Sequence, residues 1–239
     1  MDEVYERTLR RCKQLGINPD HMTPEEGQKL EELAKAEDLS YISGKIEEYK
    51  QKGEWEKVCF QINGSGNLLS EIFARYYKDL PDNVKYELLI QLYTHNGDRL
   101  TEVRKEVRKA LKYGSPQLPT FLAGQKIITV YRGGGEDISK AKYRMSWTTS
   151  LRVAEFFMKK YIYDNYLIRQ YGYEIPKKGV QFTNNNYVHL YKGEIKREKI
   201  IAYTNSRKEE EIIQYRNVLN IADIAPKIIH ISRKDSSLT

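Results

Sequence analysis

The segment that most constrains the fold is residues 114–119, GSPQLP, which carries one glycine and two prolines. Glycine and proline so close together interrupt helices and strands alike. Before this segment the apolar residues have helical spacing, whereas short β-branched and aromatic runs dominate after it. The sequence therefore predicts an α+β protein, with a helical N-terminal region over residues 1–118 and a β-rich domain over residues 119–239.

Helix signals recur through the N-terminal region. Thr23-Pro24-Glu25-Glu26 is typical of a helix start, with a threonine N-cap, a proline in the first turn and carboxylates at the positive end of the helix dipole. No spacing repeats at a fixed period, so a solenoid is not expected. The predicted helices cover residues 2–15, 23–34, 39–52, 54–60, 68–77, 83–93 and 102–112.

The second region alternates strand signals with one clear helix. That helix follows Ser150, a suitable N-cap, and has apolar residues at helical spacing. Residues 163–186 are polar and rich in tyrosine and asparagine, which is typical of a long functional loop, although their first residues also fit an extension of the helix. Strands are predicted over residues 126–131, 144–149, 187–194, 200–203, 209–215 and 228–231.

Charge is distributed unevenly between the two regions. Residues 1–118 carry 19 Lys and Arg against 21 Asp and Glu, a net charge of −2, whereas residues 119–239 carry 21 against 12, a net charge of +9. A positive field attracts anions, such as a pyrophosphate cofactor, an acidic protein surface or nucleic acid. The sign of the charge does not distinguish among these three.

Composition argues against a secreted, membrane or metal-binding protein. No apolar run approaches the length that crosses a bilayer, and the acidic N-terminus has no signal-peptide core. Cys12 and Cys59 are too few for a disulfide framework and are expected to be buried thiols in a reducing compartment. The four histidines are scattered without ligand spacing, so no metal site is expected. We expect a cytoplasmic protein.

Three consecutive glutamates, residues 209–211, lead into the apolar pair Ile212-Ile213. If a strand begins at Glu209, alternation puts Glu209 and Glu211 on one face and Glu210 on the other. Two neighbouring carboxylates on a half-buried strand repel each other and lose hydration, which a chain tolerates most readily at a functional site. We therefore expect Glu209 and Glu211 to be functional and Glu210 to point away; the alternative is a solvated acidic patch.

Two upstream segments complete a set of groups suited to cleaving NAD. Arg132 ends a β-rich run directly before three glycines, and residues 146–150, SWTTS, place hydroxyls on a short strand that leads into a helix. Loss of nicotinamide from NAD passes through an oxocarbenium-like ribose, as in glycoside cleavage. That reaction needs a cation for phosphate or ribose, hydroxyls that orient a carboxylate, and a carboxylate beside the ribose. Arg132, the hydroxyl run and Glu211 are groups of these three types.

Taken in chain order, these motifs resemble the arginine–serine–glutamate class of ADP-ribosyltransferases, which occur in bacterial toxins and bacteriophages. The resemblance spans about residues 126–231. It implies a split β-sandwich whose two sheets face each other across a cleft for NAD. It also implies a mono-ADP-ribosyltransferase, which moves ADP-ribose from NAD to a macromolecule, for instance in the cytoplasm of a host cell, and releases nicotinamide.

The resemblance assigns the cofactor-binding residues and one of the catalytic ones. Arg132, followed by Gly133, would contact the dinucleotide and brace the site, because a guanidinium fork binds two oxygens at once. Thr148 takes the place of the first serine in the serine–threonine–serine motif, as a catalytic and cofactor-binding hydroxyl, and Thr149 follows it. Ser146, two residues earlier on the same strand face, is the alternative source of that hydroxyl and is also expected at the cofactor.

The resemblance also implies different roles for Glu209 and Glu211. Glu211 would be the catalytic carboxylate at the ribose, and Glu209 would orient or deprotonate the acceptor. A glutamate in the first position resembles members that modify arginine side chains, while related members use other acceptors. The expected partner is a protein side chain, with nucleic acid as the alternative.

Two further functions fit the same residues. A NAD glycohydrolase would use the same catalytic groups with water as the acceptor. A non-catalytic module would bind nucleic acid or protein through the basic domain, with a strong dependence on salt.

Overall fold

The computed structural model describes residues 3–96, 101–171, 176, 178–205, 208–215 and 218–232. The chain divides into two compact units, Met1–Arg104 and Lys105–Thr239. The first unit is helical in its described part, and the second combines helices with antiparallel sheet, so the α+β prediction is confirmed. The division falls earlier than the predicted boundary after residue 118, and Leu118 packs against the core of the second unit.

The helices of the first unit pack around an aliphatic core. Its members include the fully buried Ile46, Ile62, Ile72, Leu88 and Leu92. The helices are α1 (Glu3–Leu15), α2 (Pro24–Lys52), α3 (Trp55–Asn63), α4 (Leu69–Tyr76), α5 (Asp82–Asn96) and α6 (Thr101–Val107), the last crossing into the second unit.

Helix α2 begins and ends at the predicted signals but is longer than predicted. Thr23 and Glu26 form a reciprocal capping box at its start, and Gly53, with φ of 69°, ends it in the left-handed conformation. The sequence analysis predicts two helices here, whereas the structure has one helix of 29 residues. Pro24 is the only proline of this helix. No proline therefore interrupts the backbone hydrogen bonds between the two predicted helices, and they continue as one.

Over its described residues, the second unit contains a six-stranded and a two-stranded antiparallel sheet. The larger sheet has the order β5-β6-β2-β1-β4-β7, and β3 pairs with β8 in the smaller one. The strands are β1 (Ile127–Gly134), β2 (Ser146–Thr148), β3 (Val180–Thr183), β4 (His189–Lys196), β5 (Ile200–Thr204), β6 (Glu211–Gln214), β7 (Leu219–Asp223) and β8 (Ile228–Ile231). Its helices are α7 (Thr120–Ala123), α8 (Ile138–Ala141), α9 (Leu151–Ile162) and α10 (Ile168–Tyr171), with a π-helical turn at Tyr163–Leu167 between the last two.

Helix α9 packs directly on β1, and a glycine makes this possible. A Cβ atom on Gly133 would lie 1.9 Å from the carbonyl oxygen of Ala154 and 2.7 Å from the backbone nitrogen of Met158. The backbones of helix and strand therefore approach more closely than any side chain allows. Ala154 and Met158 of α9 belong to one hydrophobic cluster. Buried residues of β1 belong to a second cluster, which also contains Trp147.

Strands β3 and β7, and most of the segment predicted as a long loop, differ from the sequence predictions. Residues 163–171 continue α9 as the π-helical turn and α10, in line with the alternative of a longer helix. Strand β3 lies within the segment predicted as loop, and β7 was not predicted. Both are only partly buried, and each has a single partner strand, so their stability depends on pairing more than on an apolar pattern. No helix in the described ranges has the length and apolar character needed to cross a membrane.

Candidate active site

The three motif segments lie on neighbouring strands. β2 pairs with β6 on one side and with β1 on the other. The register places Thr148 opposite Glu211 on β6 and opposite Tyr131, the residue before Arg132, on β1. Segments far apart in the chain therefore meet in one row of the sheet.

Ser146 holds the carboxylate of Glu211. The Ser146 hydroxyl donates a hydrogen bond to Oε1 of Glu211. Ser146 pairs with Ile213 and thus lies diagonally across from Glu211 on the same face, within reach of a long side chain. Glu211 is only 6% exposed, and a carboxylate that deeply buried requires hydrogen-bond donors. The sequence left open whether Thr148 or Ser146 supplies the hydroxyl beside Glu211. In the structure, the hydroxyl that contacts Glu211 belongs to Ser146.

Thr148, expected in the catalytic position, has different partners. Its hydroxyl donates to the backbone carbonyl of Glu209 at 2.7 Å and accepts from the backbone N–H of Ser150 at 3.0 Å. Thr148 is the last residue of β2, where the chain turns into α9, so its hydroxyl satisfies the backbone around that turn. Backbone groups therefore engage the Thr148 hydroxyl, and its catalytic role stays a prediction. The Ser150 hydroxyl accepts from the N–H of Val153 at 3.4 Å, which confirms the predicted N-cap.

Arg132 joins this group through the strand backbone. Its Nη1 donates to the carbonyl oxygen of Ser146 at 2.7 Å, and its Nη2 lies 3.6 Å from Oε2 of Glu136. Strand alternation directs the Arg132 side chain to the face opposite that of Glu211. The carbonyl of Ser146 therefore links the guanidinium on one face of the sheet to the Ser146–Glu211 pair on the other.

Glu136 is a charged residue of the site that the sequence analysis missed. It forms an ion pair with Arg144, whose Nε lies 2.8 Å from Oε2, and a longer one with Arg132. Burial acts to raise the pKa of Glu136, but the hydrogen bond from Arg144 and the charge of Arg132 outweigh it, so its pKa lies below the ordinary value. The sequence signal that could have identified Glu136 is its position directly after the three glycines.

A pocket of about 340 Å³ opens where β1 ends. Of the predicted residues, Arg132 and Gly133 line it; Ser146, Thr148, Thr149, Glu209 and Glu211 are not among its lining residues. Lys160 in its wall pairs with Asp164 at 2.9 Å. The other lining residues are Gly134, Gly135, Glu136, Ala141, Phe157, Tyr161 and Tyr191. Ser146 and Glu211 therefore lie outside this pocket, and the Glu211 side chain is on the other face of the sheet from Arg132.

The pocket wall contains one tyrosine from the sheet and one from the helix. Tyr191 stands opposite Arg132 on β4, and its hydroxyl donates to the carbonyl of Glu136 at 2.8 Å. Tyr161 lies over Gly135, where a Cβ atom would come within 2.1 Å of the ring. Neither tyrosine was predicted, because each enters the site through strand pairing or helix packing that has no local sequence signal.

The segment before β6 differs from the predicted strand. β6 begins at Glu211, and Glu210 has φ of 46°, in the left-handed region. The strict alternation predicted for residues 209–211 is therefore wrong, since a left-handed residue breaks the pleat. The Glu210 carboxylate accepts a hydrogen bond from the hydroxyl of Thr149 at 2.9 Å. Thr149, predicted at the cofactor, thus contacts Glu210, and Glu210 turns toward the end of β2.

His189, at the start of β4, has a structural partner on the neighbouring strand. His189 lies with Nδ1 2.6 Å from Oδ2 of Asp223 and stacks on Tyr191, which ties β4 to β7. Within the described ranges, no group of three or more His, Cys, Asp and Glu side chains is arranged to hold a metal ion.

In chemical terms, the sheet carries a buried carboxylate that Ser146 orients on one face, and a guanidinium beside an open pocket on the other. A carboxylate fixed in this way can stabilise a positive charge that develops next to it. Comparisons with protein families, with curated proteins and with solved structures give no match to this chain. Its chemistry is therefore inferred from its own residues.

Proposed function

We propose that the protein is an NAD-dependent mono-ADP-ribosyltransferase, which releases nicotinamide and moves ADP-ribose to a macromolecular acceptor. One observation carries the proposal: Ser146 holds the carboxylate of Glu211 while Arg132 binds the carbonyl of Ser146. The same residue types, in the same chain order, carry the resemblance to the arginine–serine–glutamate transferases. As part of this proposal, the two sheets of the second unit form the split β-sandwich around an NAD cleft.

In the proposed reaction the bond between C1′ of the ribose and the nicotinamide nitrogen breaks. Its electron pair leaves with nicotinamide, so positive charge moves from the pyridinium ring to the ribose. Glu211, oriented by Ser146, stabilises this charge and accepts a hydrogen bond from the ribose 2′-hydroxyl. Because this carboxylate is already oriented and nearly excluded from water, it needs little reorganisation in the transition state.

Arg132 and Gly133 are proposed to meet the dinucleotide at the pocket. Glu211 lies outside this pocket, so the pocket is proposed to take only the part of the dinucleotide that lies away from the reacting ribose, where the glycines let it approach the backbone closely. Glu136 neutralises part of the Arg132 charge. In this proposal Arg132 therefore acts mainly as a brace, which holds the Ser146 strand in place, and secondarily as a contact for phosphate or ribose oxygens.

The acceptor is proposed to attack C1′ from the open side of the ribose and to pass its proton to Glu209. A protein side chain, arginine first, is the proposed acceptor, and nucleic acid is the alternative. The net charge of +9 over residues 119–239 favours a partner with an acidic surface.

Labelled NAD tests the reaction. Wild-type protein is incubated with NAD labelled in the adenosine part and with cell lysate, and both nicotinamide release and label on macromolecules are measured. Glu211→Gln keeps the shape of the side chain, and we expect it to lower nicotinamide release about 100- to 1,000-fold with unchanged folding. Glu198→Gln, at a side chain that is 67% exposed, is the matched control and should behave as wild type.

Three of the possible outcomes each identify one function, and a fourth tests the role of Glu211. Label on a macromolecule supports the transferase, whereas label found only in free ADP-ribose identifies a NAD glycohydrolase. Wild-type rates for Glu211→Gln would contradict the role of Glu211. Absence of NAD turnover together with salt-sensitive binding of nucleic acid or protein identifies the non-catalytic module.

A further inference from the structure

The backbone of Glu209 and Glu210 is clamped to the end of β2. The Thr148 hydroxyl donates to the carbonyl of Glu209 at 2.7 Å, and the Thr149 N–H donates to the carbonyl of Glu210 at 3.1 Å. Two successive residues of one segment thus hold two successive residues of the other.

Glu210 is held by its side chain and its N–H as well. The Thr149 hydroxyl donates to its carboxylate at 2.9 Å, and its N–H donates to Oδ1 of Asn205 at 3.1 Å. Asn205 therefore connects the end of β5 to the residue directly before β6. The N–H, the carbonyl and one carboxylate oxygen of Glu210 are therefore engaged in joining three segments of the second unit.

The backbone on both sides of Glu209 has an unusual conformation, which depends on these contacts. The residues on both sides of it, Lys208 with φ of 58° and Glu210 with φ of 46°, are left-handed. A non-glycine residue rarely adopts this conformation, and it persists only where surrounding contacts enforce it. The direction of the Glu209 side chain is therefore set by the contacts that hold residues 208–210, among them those of Glu210, and not by strand alternation.

We infer that Glu210 is a positioning residue, which sets Glu209 at the acceptor side of the site. This inference rests on the proposed function and goes beyond it, because the sequence predicts only that Glu210 points away. Glu210 acts through Glu209: it takes no part in breaking the bond to nicotinamide, which Glu211 and Ser146 serve. Its contribution lies in the second half of the reaction, when an acceptor attacks C1′ and its proton passes to Glu209.

Loss of this positioning should change the fate of ADP-ribose more than the cleavage of NAD. A macromolecular acceptor must be aligned to attack, and a misplacement of about 1 Å can cost about 100-fold in rate. Water is small and abundant and attacks without such alignment. A poorly placed Glu209 therefore favours hydrolysis over transfer.

The test compares transfer with hydrolysis in full-length variants. Glu210→Ala removes the acceptor of the Thr149 hydrogen bond, and Asn205→Ala removes the acceptor of the Glu210 N–H. Glu210→Gln keeps an oxygen for Thr149 and is the conservative control. Each protein is incubated with adenosine-labelled NAD and cell lysate, and nicotinamide release, free labelled ADP-ribose and labelled macromolecule are measured together with thermal unfolding.

We expect Glu210→Ala and Asn205→Ala to lower the ratio of transfer to hydrolysis about tenfold or more, and Glu210→Gln to restore it close to the wild-type ratio. An unchanged ratio in both alanine variants overturns the inference and leaves the transferase standing, even if total turnover falls with stability. Wild-type protein that cleaves NAD and labels no macromolecule also overturns it. Wild-type protein without nicotinamide release overturns the proposed function itself.

Discussion

Replacement of Gly133 by alanine should be far more damaging than the same change at Gly134, its neighbour on β1. A Cβ atom on Gly133 would lie 1.9 Å from the carbonyl oxygen of Ala154 and 3.0 Å from its carbonyl carbon, whereas a Cβ atom on Gly134 meets nothing within 4 Å. The clash is with the backbone of α9, which cannot rotate away as a side chain can. Since contacts below 3.0 Å are essentially never seen for real Cβ atoms, the helix must move by roughly 1 Å.

This displacement carries a large free-energy cost. Overpacking of a well-packed core costs about 1–3 kcal/mol and occasionally more, and a rigid backbone neighbour places Gly133→Ala at about 3 kcal/mol. Gly134 is not left-handed, so Gly134→Ala should stabilise the fold by about 0.4–1 kcal/mol through lower entropy of the unfolded chain. At about 2–4 °C per kcal/mol for a chain of this size, the two variants should differ by roughly 10 °C in Tm.

The assay follows the second unit alone. Of the two tryptophans, Trp147 is buried in that unit and Trp55 lies in the first, so a Trp55→Phe background makes fluorescence specific to Trp147. Urea and thermal unfolding are then compared for Gly133→Ala and Gly134→Ala. If their unfolding free energies agree within about 0.5 kcal/mol, the close approach of α9 to β1 is not a constraint on this protein.

Two further predictions concern the charged groups of the site. Ser146→Ala removes a hydrogen bond to a buried carboxylate, worth about 1.5–3 kcal/mol, so kcat for nicotinamide release should fall about 10- to 100-fold; a larger loss in Thr148→Val than in Ser146→Ala would return the catalytic hydroxyl to Thr148. Glu136 has a pKa below its ordinary value of 4.5, so its stabilising contribution is fully present above pH 4.5 and is lost as pH falls through the lower folded pKa. Unfolding free energy in urea should therefore fall less steeply below pH 4.5 in Glu136→Gln than in wild type, and identical slopes would contradict this assignment.

Sequence patterns predicted helices and strands well where the cause of the structure lies within a few residues along the chain. The Thr23 N-cap of α2, the Ser150 N-cap and the strand Ile228–Ile231 are all where the sequence predicts them. Capping and side-chain periodicity act within a few residues, so they are visible in the chain itself. Strand β7 escaped prediction because it is mostly exposed and is ordered by pairing with β4.

The residue types of the candidate site were also visible in the sequence, but their partners were not. Arg132, a hydroxyl strand and Glu211 were selected as types that NAD cleavage requires. Which hydroxyl meets Glu211 depends on the register of β2 against β6, and a shift of one pleat exchanges Ser146 for Thr148. Register is set by the whole sheet, so the choice was open until the strands were paired.

The sequence by itself determined a helical region followed by a β-rich, basic one, and it determined which side chains are chemically able to form the site. Tertiary structure decided that Glu136 pairs with Arg132 and Arg144, that Ser146 holds Glu211, and that Glu210 departs from the strand pattern. The physical reason is the range of the forces involved. Caps and periodicity depend on neighbours along the chain, whereas ion pairs, strand register and enforced left-handed residues depend on segments that meet only after folding.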